Sequence, residues 1–199
     1  MKSYFATQIY QKKIAFDLLD LKHEVNLIQK SDDLGQKWSK TNYAGGYTSY
    51  SSLDQLHKLS STIEKLERKI DVHVNRFLKD LGYSAKVAED LRMTDCWVNM
   101  MPAGTQHTGH IHPRSVISGT FYVLAGKDSS SIQFEDPRLG LFMNSPSVKT
   151  TAKTENRRFV SLQPKAGDLI LFESWLKHSV PVNKSKQPRI SISFNYGWV

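Results

Sequence analysis

The chain has 199 residues, a net charge of +8 and an ordinary apolar share of 39%. That length holds one domain with a substantial core, and a second independent domain is not expected. No apolar run nears the ~20 residues that span a bilayer, and "MKSYFATQIYQKK" lacks the apolar core and cleavage site of a secretory leader, so a cytoplasmic protein without a membrane segment is expected.

In chain order, a short extended piece, "YFATQIY", comes first. Leu18, Leu21, Val25 and Ile28 then recur at helical spacing and predict a helix from about Asp17 to Gln29. The segment "KSDDLGQKWSKTNYAGGYTSYSS" is rich in Gly, Ser, Asn and Asp and reads as a long loop. A strong apolar stripe follows, from Leu53 through Leu56, Leu59, Ile63 and Leu66 to Leu81, stepping by three or four. Ser52 with Gln55 fits a capping box at its start, and Gly82 fits a cap at its end. This long helix reads as a scaffold laid against a sheet, with a homodimer seam as the other use of such a stripe.

From about Leu91 the texture turns to short β-rich runs between turn signals: "RMTDCWVNMM", "TQHTGHIH", "SGTFYVLA", "SSIQFED", "RFVSLQP", "DLILFES", "HSVPV" and "RISISFNYGWV". Eight such strands predict a jelly-roll or related sandwich. The stretch 137–157 reads as a loop inserted over one mouth. The fold class expected is therefore mainly β with flanking α, a single domain over 1–199: residues 1–90 a mostly helical scaffold with a long loop, residues 91–199 the β core carrying the site. Cys96, the only cysteine, lies in a strand-like stretch and reads as a small buried apolar residue; with one cysteine an intramolecular disulfide is excluded. The lysines are dispersed, so the charge tilts only mildly toward an anionic macromolecule as partner.

The chemistry lies in the histidines. Residues two apart on a strand share a face, so His110 and His112 in "GHIHPRSV" are placed to grip one metal ion. Pro113 biases His112 toward extended backbone and ends that strand. His178, after the buried-looking run "DLILFESWLK", is expected to close the site from across the barrel. Imidazoles with open positions suit Fe(II), and also Zn(II), Ni(II) or Cu(II). His107 stands at an odd offset from His110, which puts it on the opposite strand face. His23, His57 and His73 lie on helical segments and are given no role. On the last strand Arg189, Ser191, Ser193 and Asn195 alternate with Ile190, Ile192, Phe194 and Tyr196. The polar face either lines a barrel interior, where a buried arginine needs an anionic partner, or faces water.

These residues resemble the Fe(II)- and 2-oxoglutarate-dependent dioxygenase superfamily, and within it the branch of 2OG-Fe(II) oxygenases, through "HIHPRSVISGTFYV", "IQFEDPR", "PKAGDLILFESWLKHSVPVN" and "RISISFN". The resemblance implies a double-stranded β-helix of cupin-like kind with N-terminal helices packed on one sheet, and Fe(II) at one mouth with 2-oxoglutarate as cosubstrate. It implies His110 and His178 as metal ligands, and Arg189 with Ser191 as the pair holding the distal carboxylate of 2-oxoglutarate. Asn99 and Tyr122 fall on strands whose equivalents supply further cosubstrate contacts. The superfamily usually has His-x-Asp or His-x-Glu where this chain has His112. Either His112 is itself the third ligand, leaving the site one unit more positive, or an acid such as Glu135 or Asp136 or a water takes that position. Asp136-Pro137-Arg138 is either a structural turn or a mouth element with Arg138 facing substrate. The activity implied is hydroxylation with release of succinate and CO2. The alternatives are a cupin-like metal dioxygenase or isomerase without 2-oxoglutarate, and a non-catalytic β-sandwich binding module.

Overall fold

The computed structural model describes residues 2, 4–138, 140 and 143–198. Its C-terminal half supplies strands β3 (Leu91–Met101), β4 (His107–His110), β5 (Ile117–Leu124), β6 (Ile132–Glu135), β7 (Phe159–Leu162), β8 (Asp168–Glu173), β9 (His178–Val180) and β10 (Arg189–Trp198). Six lie within the runs read from the sequence, and β3 and β5 each begin one residue earlier, because each run carries residues that fit a half-buried pleat. The N-terminal half adds two strands, β1 (Ile9–Lys13) and β2 (Tyr47–Thr48), with helices α1 (Leu18–Ser31), α2 (Asp33–Asn42), α3 (Leu56–Leu59), α4 (Ser61–Asp80) and α5 (Ala85–Asp90).

The strands form two antiparallel sheets, a larger one in the order β1-β8-β5-β10-β3-β2 and a smaller one in the order β4-β9-β6-β7. Alternation along each strand sorts its side chains. Leu169 and Leu171 of β8, Phe121 and Val123 of β5, and Ile190, Ile192 and Phe194 of β10 join Leu21 and Val25 of α1 and Ile63, Leu66, Ile70, Val74 and Phe77 of α4 in the main core. The opposite face sends Tyr122, Ile170 and Phe172 against Ile132 and Phe134 of the smaller sheet. The helices thus cover the outer face of the larger sheet, and the inner faces of both sheets meet. This is the jelly-roll core with helices on one sheet that the sequence predicts. The apolar stripe of α4 is spent on that core.

Two helical expectations change. The stretch 30–52 is not one long loop, since it holds α2. The Asp32 carboxylate caps α2 through the Gly35 N–H and also accepts from the Tyr47 and Ser52 hydroxyls, so a tertiary hub holds a segment of poor helix propensity. The long stripe is broken at Ser60, whose extended backbone separates α3 from α4 and whose hydroxyl accepts from the Ile63 N–H. Ser60, not Ser52, is the cap. Gly82 ends α4 as expected: at φ +82° it lets its own N–H reach the Lys79 carbonyl and the Tyr83 N–H reach that of Leu78. Within 137–157, residues 139, 141 and 142 lie outside those described, and the described part includes a 3-10 turn at Thr154–Asn156. Among the described residues no helix is long and apolar enough to cross a membrane. Cys96 is buried and free, as expected.

Candidate metal centre

Register builds the site. In β10, Arg189 lies opposite Met101, Ser191 between Asn99 and Tyr122, Ser193 between Trp97 and Thr120, and Asn195 between Asp95 and Ser118. The polar face of β10 therefore sits at the centre of the larger sheet's inner surface. Arg189, Ser191, Ser193 and Asn195 all line one cavity of about 250 Å³ between the two sheets. Of the two orientations open to this strand, the structure takes the one with the polar residues inside.

His110 ends β4 and His178 begins β9, and the two are register partners in the smaller sheet. His178 thus reaches the site from the neighbouring strand, not from across the barrel. His112 lies beyond the end of β4, so it does not share a strand face with His110. Its loop is tied down by a hydrogen bond from the His112 N–H to the Ser174 carbonyl at 3.0 Å. The three rings still converge: a ligand atom from each lies within 4.8 Å of the others, and Nε2 of His112 is 3.3 Å from Nε2 of His178. Two imidazoles bound to one ion at ~2.1 Å and roughly a right angle would stand ~3 Å apart, close to that spacing.

The tautomers fit the same purpose. Nδ1 of His110 is 2.7 Å from the Thr108 carbonyl, and Nδ1 of His178 is 3.0 Å from the Leu176 carbonyl. A carbonyl only accepts, so each Nδ1 carries the proton and each Nε2 keeps its lone pair for a cation. Burial pushes the pKa of His178 down to about 3 and of His112 down to about 4, with the neighbouring His110 adding to both shifts. Both are therefore neutral at physiological pH, as ligands must be. The donor set fits a divalent transition ion.

His107, assigned to the far face, lines the same cavity. The register slips between His107 and His110, and this irregularity undoes the odd offset. Its ring stacks on Tyr43 at 4.7 Å, with its Nε2 2.9 Å from the Tyr43 hydroxyl. Burial, helped by Arg189, lowers its pKa to about 3. Neither residue had a distinctive spacing signal in the sequence.

At the other end, Arg189 is 2% exposed. Its guanidinium donates to the Tyr122 hydroxyl at 3.1 Å and to the Ser191 hydroxyl at 3.4 Å, and lies 4.8 Å from the Tyr122 ring centre. Its Nε has no partner, and among the described residues no carboxylate pairs with it. Such a charge is costly unless an anion joins it. Asn99 lines the cavity and donates to Ser193 at 3.1 Å. Tyr122 is fully buried behind Arg189 and orients the guanidinium. Glu135 does not enter the metal cluster: it pairs with Arg158 at 2.7 Å and Lys177 at 2.9 Å. Asp136 pairs with Arg138 at 2.6 Å and also accepts from its backbone N–H, which makes that segment a turn.

A pH dependence follows. His107, His112 and His178 have folded-state pKa values of about 3 to 4, below the ordinary 6.5. The unfolded chain therefore takes protons first on acidification. Their contribution is intact above pH ~6.5 and is lost progressively as pH falls toward ~4. Urea unfolding of metal-free protein at neutral and mildly acidic pH should show a midpoint falling steeply with acid; a flat profile would refute it.

A family model described as "Putative 2OG-Fe(II) oxygenase" matches residues 95–195. Among similar solved structures is the epimerase SnoN in complex with Fe3+, alpha ketoglutarate and nogalamycin RO, at TM-score 0.66 and 13% identity, covering 96% of this chain and 79% of that one. A Pseudomonas putida prolyl-4-hydroxylase aligns at TM-score 0.61 and 15% identity, covering 97% and 94%. HygX from Streptomyces hygroscopicus with nickel and 2-oxoglutarate bound aligns at 0.62 and 10%, covering 97% and 84%. Likeness at these identities is one of fold. No curated protein matches the chain.

Proposed function

The chain belongs to the 2OG-Fe(II) oxygenase family, and on that premise we propose that it hydroxylates its substrate, with His110, His112 and His178 holding Fe(II) and Arg189 holding 2-oxoglutarate. The observation that carries this reading is Arg189, a buried guanidinium without a carboxylate partner among the described residues, at the far end of the cavity from three convergent Nε2 atoms. A dicarboxylate held by the metal through one carboxylate and by Arg189 through the other would supply the anion that this guanidinium lacks. Ser191 supplies a hydroxyl to the carboxylate bound by Arg189, Tyr122 fixes the guanidinium, and Asn99 forms part of the wall. When bound, Fe(II) with 2-oxoglutarate supplies the activation of O2. The protein's residues bind and orient the ion, keep His112 and His178 neutral, and narrow access of water to the buried end. The +8 charge fits an anionic body around the reacting group.

Anaerobic protein is titrated with Fe(II) and 2-oxoglutarate, followed by visible absorption, then exposed to O2. A charge-transfer band and succinate formation are expected. Their absence from folded, iron-loaded protein would exclude the reading. Activity indifferent to Arg189→Ala and to a 2-oxoglutarate competitor would instead favour metal chemistry without cosubstrate. Iron-free protein with function intact in His178→Ala would favour a binding module.

A further inference from the structure

We propose that the cavity admits an uncharged, apolar group about the size of one amino-acid side chain, carried on a larger body that stays outside, and that Trp97 and Tyr50 form the surface on which this group packs. The proposal rests on the metal and cosubstrate assignment above and adds the substrate class to it.

Size is the first argument. The cavity measures about 250 Å³. Pockets that enclose a drug-sized ligand run from ~300 to ~1,000 Å³. Here the Arg189 end is already committed to the cosubstrate. What remains cannot enclose a whole molecule of that size, so only a projecting group reaches the metal.

Charge is the second. Apart from the histidines, Arg189 is, among the described residues, the one side chain of formal charge on the cavity wall, and no Asp, Glu or Lys among them lines it. A cationic group would meet the guanidinium and the metal with no acid on the wall itself, and the nearby Asp95 carboxylate, set behind Asn195, already accepts from Asn195 and Thr94. An anionic group would find the only arginine paired. Either charge would lose its hydration without compensation. Most of the polar wall is self-satisfied: Asn99 donates to Ser193, and Asn195 donates to Asp95 at 3.3 Å while accepting from Ser118 at 2.8 Å, which leaves, among the described residues, the Thr120 hydroxyl as a single neutral polar group for the entering group to cover.

The third argument is the lane to the metal. The Tyr50 ring is edge-on to Trp97 at 4.9 Å, and the Trp97 indole stacks on His112 at 5.9 Å. Tyr50 and Ile111 line the cavity while remaining 51% and 48% exposed, which puts them at its mouth. Trp97 is 7% exposed and lies between mouth and imidazole. An apolar group entering past Tyr50 therefore meets apolar and aromatic surface until it reaches the histidines.

The test uses the full chain loaded with Co(II) and saturating 2-oxoglutarate, with three isosteric probes: 3-methylbutanamide, 3-methylbutanoate and 3-methylbutylammonium. Loading is read first, from Co(II) absorption and its change with 2-oxoglutarate. Failure there strikes the proposed function. In loaded protein, paramagnetic broadening of the probe methyl signals reports binding near the metal. The amide should bind at least ~10-fold more tightly than either ion. The same acyl group linked to a blocked dipeptide should bind no more weakly. Tyr50→Ala and Trp97→Ala should each weaken the amide by ~5-fold or more, as truncated aromatic contacts do. If Trp97→Ala fails to load, Trp97→Phe, which keeps a ring, should load and bind the amide with intermediate affinity. The inference is overturned if either ion matches the amide, if the amide does not broaden, if the dipeptide abolishes binding, or if the Tyr50 variant and a loaded Trp97 variant both bind as the unmodified chain does.

Discussion

His178→Ala should lower Fe(II) affinity by at least ~100-fold and reduce succinate formation to background, since loss even of a group supporting a ligand costs ~10–100-fold. His178 is the joint of the cluster. Its ring lies 4.4 Å from that of His110 and 5.1 Å from that of His112, and its Nε2 is 3.3 Å from that of His112. Metal content of the purified variant and competition against a chelator measure the loss. His112→Ala should behave alike, whereas His112→Asp, which restores the residue type usual at that place, should retain iron. The Asp variant also returns one negative charge to the site, so its Fe(III)/Fe(II) potential should fall relative to the unmodified protein. Iron retained at full affinity in His112→Ala would remove that residue from the ligand set and leave a two-histidine centre.

How far the sequence foretold this site depends on what kind of signal each residue had. Strand β10 was legible because its period of two is unbroken for eight residues, and period two is a property of the backbone itself. His110 and His178 were legible by type and by resemblance, but their adjacency was not, since strand order in a jelly roll is set by long-range pairing. His112 was grouped with His110 and His178 for the wrong reason: the strand stops at His110, and a loop bond to Ser174, 62 positions on, brings the ring back to the cluster. His107 was lost to a register irregularity that period counting cannot see. In the N-terminal half, α2 was hidden because Gly35, Ser39, Thr41 and Asn42 are weak helix formers and its support comes from Asp32 and the residues that bond to it. The break at Ser60 was hidden because the leucines on both sides keep helical spacing, although Leu59 is 66% exposed and so stands outside the core.

Replacing Arg189 should move binding and stability in opposite directions. In Arg189→Met the affinity for 2-oxoglutarate should fall by ~30- to ~1,000-fold, the ~2–4 kcal/mol expected when one partner of a buried charge pair is truncated. The loss should be confined to the distal carboxylate, so a 2-oxo acid without that group, such as 2-oxobutyrate, should bind the variant and the unmodified protein alike. Arg189→Lys should recover only part of the affinity, because an ammonium cannot present the paired donors of a guanidinium. The metal-free, cosubstrate-free variant should nonetheless be more stable than the parent by about 1 kcal/mol or more, since methionine removes a buried cation whose Nε has no partner and which no carboxylate among the described residues neutralises. Isothermal titration with both oxo acids and urea unfolding without ligand measure the two effects. A destabilised variant with unchanged 2-oxoglutarate affinity would make Arg189 a structural residue. Gain of stability with loss of the dicarboxylate would mean that the fold holds this charge at a cost and that binding the cosubstrate offsets it, so 2-oxoglutarate should raise the unfolding midpoint of the parent far more than that of the variant.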